Sequence, residues 1–535
     1  MAEIVRKTLE EVSVGYRFSS SQCEALPPLA WVIKVAADTK LVVARYGNRV
    51  EASPSTLVEG VWSGAFNEQG FAEAAHFFGT GVHLQQDRVI IVPSVALVDR
   101  VFTAQDPSGI VCSNSLPLLL AFSGVRLDPS HNYHAESYAL LKGIEEYSRD
   151  FVVSGNPEVC CQQHYYHPFE IRDNQLRTLR RKPALAFEES YSGYLEALQQ
   201  EMRLLSQNAT HSARRYPMAL LSTVSAGYDS TAATALAAEI GVAVAYTSKR
   251  SNSSLLPWLN RQAAIDDGTP IANVLGVTVR DLRSDGCVDD DLELAAYSSS
   301  TAEAETVFLK LAQDIRDQGS PAVVFTGYHG DKLWEAKEAA KYDSPEIFRG
   351  DTSGLNLAEL RLVAGFVNVP VPFFFASDVE KIRRISRSAA MAKWSVGGDY
   401  DRPIPRRLLE SKGVPRSAFG DRKRAVVKLA TIPESIRLRE SFEICLQNTL
   451  GYGIGSAQVR LLWGSMQFLF VRTSEVVLAA LGVRLKVDHS PQRRFAGKLT
   501  LALFHWSVDA RARNIALSLA GASGLSSFSG KTVDS

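Results

Sequence analysis

The chain has 535 residues, with 58 Lys and Arg against 58 Asp and Glu, a formal net charge of zero, 46% hydrophobic residues and 22% charged ones. This length exceeds one ordinary hydrophobic core, so at least two large domains are expected, and the balance of apolar and charged residues excludes a disordered chain. A neutral chain lacks the basic surplus of most polynucleotide-binding proteins, so no nucleic acid is expected as a partner.

The start, Met1-Ala2-Glu3 onward, carries no apolar run of the kind that forms a secretory leader. Its six cysteines are scattered without a disulfide framework. The most apolar late segment, residues 459–483, is interrupted by Arg460, Arg472 and Glu475 and is a poor bilayer span. A cytoplasmic location with no membrane partner is therefore expected.

In chain order, residues 1–185 read as a strand-rich domain. LAWVIKVAA, KLVVARYG, DRVIIVPSVALVDRVFTA and GIVCSNSL are β-branched runs separated by Asp, Gly and Pro. Residues 186–535 form the second expected domain. It opens on a helix over 191–207, where Tyr194, Leu195, Leu198, Met202 and Leu205 share one side. Strand and helix patterns then alternate through MALLSTV, STAATALAAEIG, VAVAYTS, AAIDDGTPIANVLG, ETVFLKLAQDI and PAVVFTG, which predicts an α/β fold with a parallel sheet covered on both faces. Beyond about residue 375 the pattern is mostly helical.

The most informative stretch is Ser225-Ala226-Gly227-Tyr228-Asp229-Ser230-Thr231, between the strand MALLSTV and a helix that Gly241 terminates. A strand–turn–helix junction directs backbone N–H groups and the positive end of a helix at one point, which suits an anion. Gly227 permits close approach, and Ser225, Ser230 and Thr231 add hydroxyls. Asp229 would repel phosphate oxygens unless a cation lay between, so the loop implies Mg²⁺. With no Lys in the loop, it is not the phosphate loop of γ-phosphoryl transfer.

Ser225-x-Gly227-x-Asp229-Ser230 resembles the pyrophosphate-binding loop of the ATP pyrophosphatase superfamily. Within it the chain is similar to the asparagine synthetase family, of the kind lacking the glutaminase nucleophile, such as β-lactam synthetase and lasso-peptide cyclases. A second loop, Gly327-Tyr328-His329-Gly330-Asp331-Lys332, follows PAVVFTG where the family usually carries Gly-Glu-Gly-Ala-Asp-Glu. It keeps the Gly and the metal-binding Asp but loses both glutamates. The resemblance implies ATP and Mg²⁺ as cofactors, with Asp229 and Asp331 on the metal and Ser225, Gly227, Ser230 and Thr231 on the pyrophosphate. Tyr328 resembles the Tyr of the β-lactam synthetase Tyr–Glu pair that deprotonates an amine. Glu359, in AELRLVAGFVNVPVPFFF, is the partner the resemblance implies, with His329 as the alternative base. The segment 401–428 holds nine basic residues against three acidic ones. By position Lys423 is the residue implied to offset charge on the leaving pyrophosphate, with Arg422, Arg424 and Lys428 as substitutes.

Members that release ammonia from glutamine carry a Cys directly after the initiator Met. Here the first cysteine is Cys23. The first domain is therefore expected to be a degenerate, glutaminase-like (Ntn-type) half, and any ammonia would come from a separate glutaminase. The expected substrates are a carboxylate of a small molecule, peptide or sugar acid, and ammonia or an amine. Rival readings are a sulfur-inserting tRNA ligase of the same superfamily and a non-catalytic nucleotide-binding homologue. Cys160-Cys161-Gln-Gln-His164-Tyr-Tyr-His167 has a superficial metal-site look, but adjacent cysteines ligate one zinc awkwardly, so strand and loop residues are expected there.

Overall fold

The computed structural model describes residues 15–184, 186–249, 266–282, 289–301, 303–337, 347–398, 400–420, 428–429, 431–461, 463 and 490–521. The strand-rich region contains two six-stranded sheets. One runs, in spatial order, Arg17–Gln22, Leu41–Tyr46, Trp31–Ala36, Gly109–Ser113, Val101–Asp106 and Cys160–His164, antiparallel except for its first pair. The other, fully antiparallel, runs Gln175–Thr178, Phe169–Arg172, Val89–Val92, Phe77–Leu84, Thr56–Trp62 and Glu51–Ala52.

Strand alternation decides which face meets what. Trp31, Ile33 and Val35 point into a core shared with Val82, Val89, Ile91 and Phe169 of the second sheet. Val32 points the other way, into a layer with Leu118 and Leu119 of the helix Leu116–Ser123 and Phe504 and Val508 of the helix Ser490–Gly521. The two sheets therefore stack face to face, and helices cover the outer face of the first.

The helix predicted over 191–207 is observed as Tyr191–Ala209, capped where Ser190 Oγ accepts the Gly193 N–H at 3.0 Å. Tyr194, Leu198, Met202 and Leu205 enter the largest core, and Leu195 lies at its edge.

The five-stranded parallel sheet has the spatial order Thr278–Asp281, Val244–Thr247, Ala219–Thr223, Ala322–Thr326, Phe366–Pro370. Its first strand in sequence is central. The next two are laid to one side, and the last two to the other. In Ala322–Thr326 every residue is buried: Val323 and Phe325 join one core, Ala322 and Val324 the opposite one. That is why this strand reads as a continuous apolar run. On one face the small residues Ala232, Ala233, Ala235 and Ala237 let the helix Asp229–Glu239 lie close to the sheet. On the other lie Leu311, Ala312 and Ile315 of Leu309–Gln318 and Leu357, Leu360 and Val363 of Leu357–Ala364.

Buried ion pairs join the two regions. The Arg361 guanidinium donates to Glu59 at 2.6 and 2.8 Å and also to Asp99. His76 lies 2.7 Å from Glu201 and 2.6 Å from the Phe374 carbonyl.

Gly451, at φ +73, closes the helix Ile436–Leu450. Cys160 is exposed and Cys161 buried on an edge strand, as alternation requires. Among the described residues no group of three or more His, Cys, Asp and Glu side chains is arranged to hold a metal. No helix of the described residues is long and apolar enough to cross a membrane.

Candidate active site

The parallel sheet reverses its direction of growth between Ala219–Thr223 and Ala322–Thr326. The loops leaving these two strands diverge, and an open α/β sheet forms its ligand crevice at such a point. A cleft of about 230 Å³, partly open to solvent, lies there, lined by Thr223 to Ser230 except Ala226, by Thr326 to Asp331 except Gly330, and by Asp266, Glu305, Asp351, Tyr400 and Arg402 among others.

The first loop is shaped by its own hydroxyls. Ser225 Oγ lies 2.8 Å from Ser230 Oγ and accepts the Gly227 N–H at 3.1 Å. Thr231 Oγ1 donates back to the carbonyls of Ser225, at 2.8 Å, and Gly227. Thr231 is thus a buried brace for the loop and does not line the cleft. From outside, Asp266 accepts the Ala226 N–H at 3.1 Å and Tyr400 Oη accepts the Tyr228 N–H at 3.4 Å. Gly420 N–H donates to the Ala226 carbonyl at 3.0 Å.

The second loop lies directly against the first. A Cβ on Gly327 would collide with the backbone of Asp229 and Ser230. One on Gly330 would come within 2.5 Å of the Asp229 Cγ. Both glycines are thus required by close approach. His329 between them adopts φ +75, a left-handed conformation unusual for a side chain, and the Gly330 N–H closes the turn on the Gly327 carbonyl at 3.1 Å. His329 is buried and stacked 4.5 Å from Phe373. Burial, then the Arg349 charge, push its pKa down to about 3, so it is a neutral and weak base.

Asp229 and Asp331 are brought to the same cleft. Asp229 pairs with Arg402 and Asp331 with Lys332, whose Nζ also lies 3.4 Å from Asp351. Two carboxylates on touching loops suit Mg²⁺ that arrives with phosphates, because that ion takes one or two carboxylates, phosphate oxygens and waters in preference to an all-protein cage. Asp229 and Asp331 are the residues that would hold it.

The acceptor side departs from the sequence expectation. Glu359 does not partner Tyr328. Its Oε1 accepts the Leu116 N–H at 2.8 Å, and its Oε2 accepts from Ser115 Oγ at 2.9 Å and from Arg511 Nη1 at 2.8 Å. The helix Leu357–Ala364 turns Glu359 and Arg361 toward the strand-rich region and the C-terminal helix. Glu305 and Tyr328 line the same cleft instead and each perturbs the other's pKa, while Tyr328 Oη and Glu305 Oε2 are both buried without a hydrogen-bond partner among the described residues. Glu305 also accepts the Gly354 N–H at 2.8 Å. Burial raises the Glu305 pKa to about 7 against the lowering effect of Gly354, Tyr328 and Arg349. Burial, then the Glu305 charge, holds Tyr328 well above the ordinary phenol range. Arg349, fully enclosed nearby, has its pKa lowered by burial while Asp351 and Glu305 sustain its charge.

Lys423, Arg422 and Arg424 lie outside the described residues, and of Lys428 only the backbone is described. Sequence reasoning missed Glu305, Tyr400 and Arg402 as site residues and named no role for Asp266. Arg402 had a visible signal as part of the basic strip, and Asp266 sat in a quoted segment. In comparisons with known proteins, no family model matches this sequence, and no curated protein matches it.

Proposed function

We propose that the protein is an ATP-dependent, AMP-forming ligase that joins a substrate carboxylate to ammonia or an amine. The observation that carries this reading is the pairing of a hydroxyl-rich strand–turn–helix loop with a second, aspartate-bearing loop at the point where the parallel sheet reverses. The strand-rich region is, in this reading, a degenerate glutaminase-like half that supports the site without cleaving glutamine.

The phosphates of ATP lie on the loop Ser225–Thr231, facing the N-terminus of the helix Asp229–Glu239. Ser225 and Ser230 present hydroxyls, and Gly227 permits close approach. A magnesium ion held by Asp229 and Asp331 supplies charge neutralisation of the phosphates when bound. The substrate carboxylate oxygen attacks the α-phosphorus, the α–β phosphoanhydride bond breaks, and pyrophosphate leaves with its charge offset by Lys423 or a neighbouring base. The helix end and fixed hydroxyls are oriented before reaction, which is the main electrostatic contribution available to such a site.

The amine then attacks the activated carbonyl and AMP departs. The acceptor, an ammonium at neutral pH, must lose a proton before its nitrogen can attack, and Glu305, poised near neutrality, is the base that takes it. Tyr328, which stays a neutral phenol, relays the proton and orients the amine. Tyr328→Phe tests this division of labour: pyrophosphate exchange into ATP is expected to persist, while amide formation slows by roughly 10²-fold or more. Equal loss of both steps, or of neither, would remove Tyr328 from the second step.

A further inference from the structure

The two aspartates of the cleft carry counter-ions supplied by the chain. The Arg402 side chain is 2% exposed and that of Lys332 11%. Arg402 is fixed from several sides. Its guanidinium lies 4.8 Å from the Tyr400 ring centre and 6.0 Å from that of Tyr228, and its Nε is 3.5 Å from Glu335 Oε2. Lys332 bridges Asp331 and Asp351, and it occupies the position after the metal-binding aspartate.

These pairs set a condition on metal entry. A divalent cation approaching Asp229 and Asp331 alone meets two enclosed positive charges and must displace or share their partners. Mg²⁺ also gives up its water reluctantly, and Arg cannot escape by losing its proton. Phosphates change the balance, because they offer both basic side chains new anionic partners at the same cleft.

We infer that Lys332 and Arg402 are built-in counter-ions that exclude a free divalent cation from the Asp229–Asp331 pair and yield the carboxylates only when nucleotide phosphates take up the two basic side chains. The inference rests on the nucleotide site proposed above. Metal and nucleotide then bind with strong positive coupling, each raising the affinity for the other.

Mn²⁺ binding to the full chain, followed by electron paramagnetic resonance, tests this. The probes are Mn²⁺ alone and Mn²⁺ with α,β-methylene-ATP, whose α–β bridge resists cleavage. Mn²⁺ alone is expected to bind the wild type at least about a hundredfold more weakly than Mn²⁺ with the analogue, at the upper end of common coupling strengths. Lys332→Gln is expected to tighten binding of Mn²⁺ alone about tenfold or more, Lys332→Arg to leave it weak, and Asp331→Asn added to Lys332→Gln to abolish the gain. Circular dichroism establishes that each variant is folded, and Lys332→Met replaces Lys332→Gln if the latter is not. Equal Mn²⁺ affinity with and without the analogue in the wild type, or unchanged affinity in a folded Lys332 variant, overturns the counter-ion assignment. Failure of the analogue to bind the wild type in the presence of Mn²⁺ overturns the nucleotide site itself, so the two failures are distinct.

Discussion

Replacing Glu305 by Gln removes an ionisable group from the wall of the cleft and leaves its shape nearly unchanged. The Gly354 N–H still has an oxygen to donate to, now a neutral amide. In the wild type burial lifts the Glu305 pKa from 4.5 to about 7. A raised carboxyl pKa means that the folded state holds its proton more tightly than the unfolded chain does. The stabilisation from that proton is complete below the unfolded pKa and is lost as pH rises through the folded value, to the extent of about 3 kcal/mol for this shift. Urea unfolding of wild type and Glu305→Gln, followed by tryptophan fluorescence between about pH 4 and about pH 8, isolates the effect, since other groups cancel in the difference. The wild type should lose about 3 kcal/mol relative to the variant across that window. Parallel curves would show that Glu305 does not titrate near neutrality and would refute its role as the base.

Two further outcomes follow from contacts. Gly330→Ala places a Cβ within 2.5 Å of Asp229 Cγ, so calorimetry should show nucleotide affinity reduced by about tenfold or more with helix content unchanged; unaltered affinity would mean the two loops do not jointly form the site. Arg361→Met leaves the buried Glu59 and Asp99 without their guanidinium, so urea unfolding should register a loss of about 3–5 kcal/mol, and a loss below 1 kcal/mol would show the ion pairs do not hold the two regions together.

The order of strands and helices was legible because the periods of the sequence change where the architecture changes. Trp31, Ile33 and Val35 alternate with Val32, whereas Ala322–Thr326 is apolar throughout because both its faces are covered. Both cleft loops were also legible, since each is short and its chemistry is local: Gly227, Asp229 and Ser230 in one, Gly327, Gly330 and Asp331 in the other. The acceptor side was not. Glu305 is brought to the cleft of Tyr328 by a tertiary arrangement completed by the Gly354 N–H, which no spacing encodes. Glu359 looked available on a helix near an apolar run, but its partners are Ser115, Leu116 and Arg511, each more than a hundred residues away. A charged residue whose counter-charge lies so far along the chain is indistinguishable in sequence from one that faces a substrate. Arg402 likewise was one of nine basic residues until the fold set it against Asp229.

The measurement that bears most directly on the proposed chemistry is magnesium-dependent exchange of labelled pyrophosphate into ATP, run with pooled carboxylates on wild type and Asp229→Asn. Adenylation of a carboxylate is reversible and returns label to ATP, so exchange is expected with the wild type in at least one pool and is expected to vanish in Asp229→Asn. Exchange that persists in Asp229→Asn, or a wild type that neither exchanges in any pool nor binds ATP, would contradict the assignment of this cleft as an adenylating site.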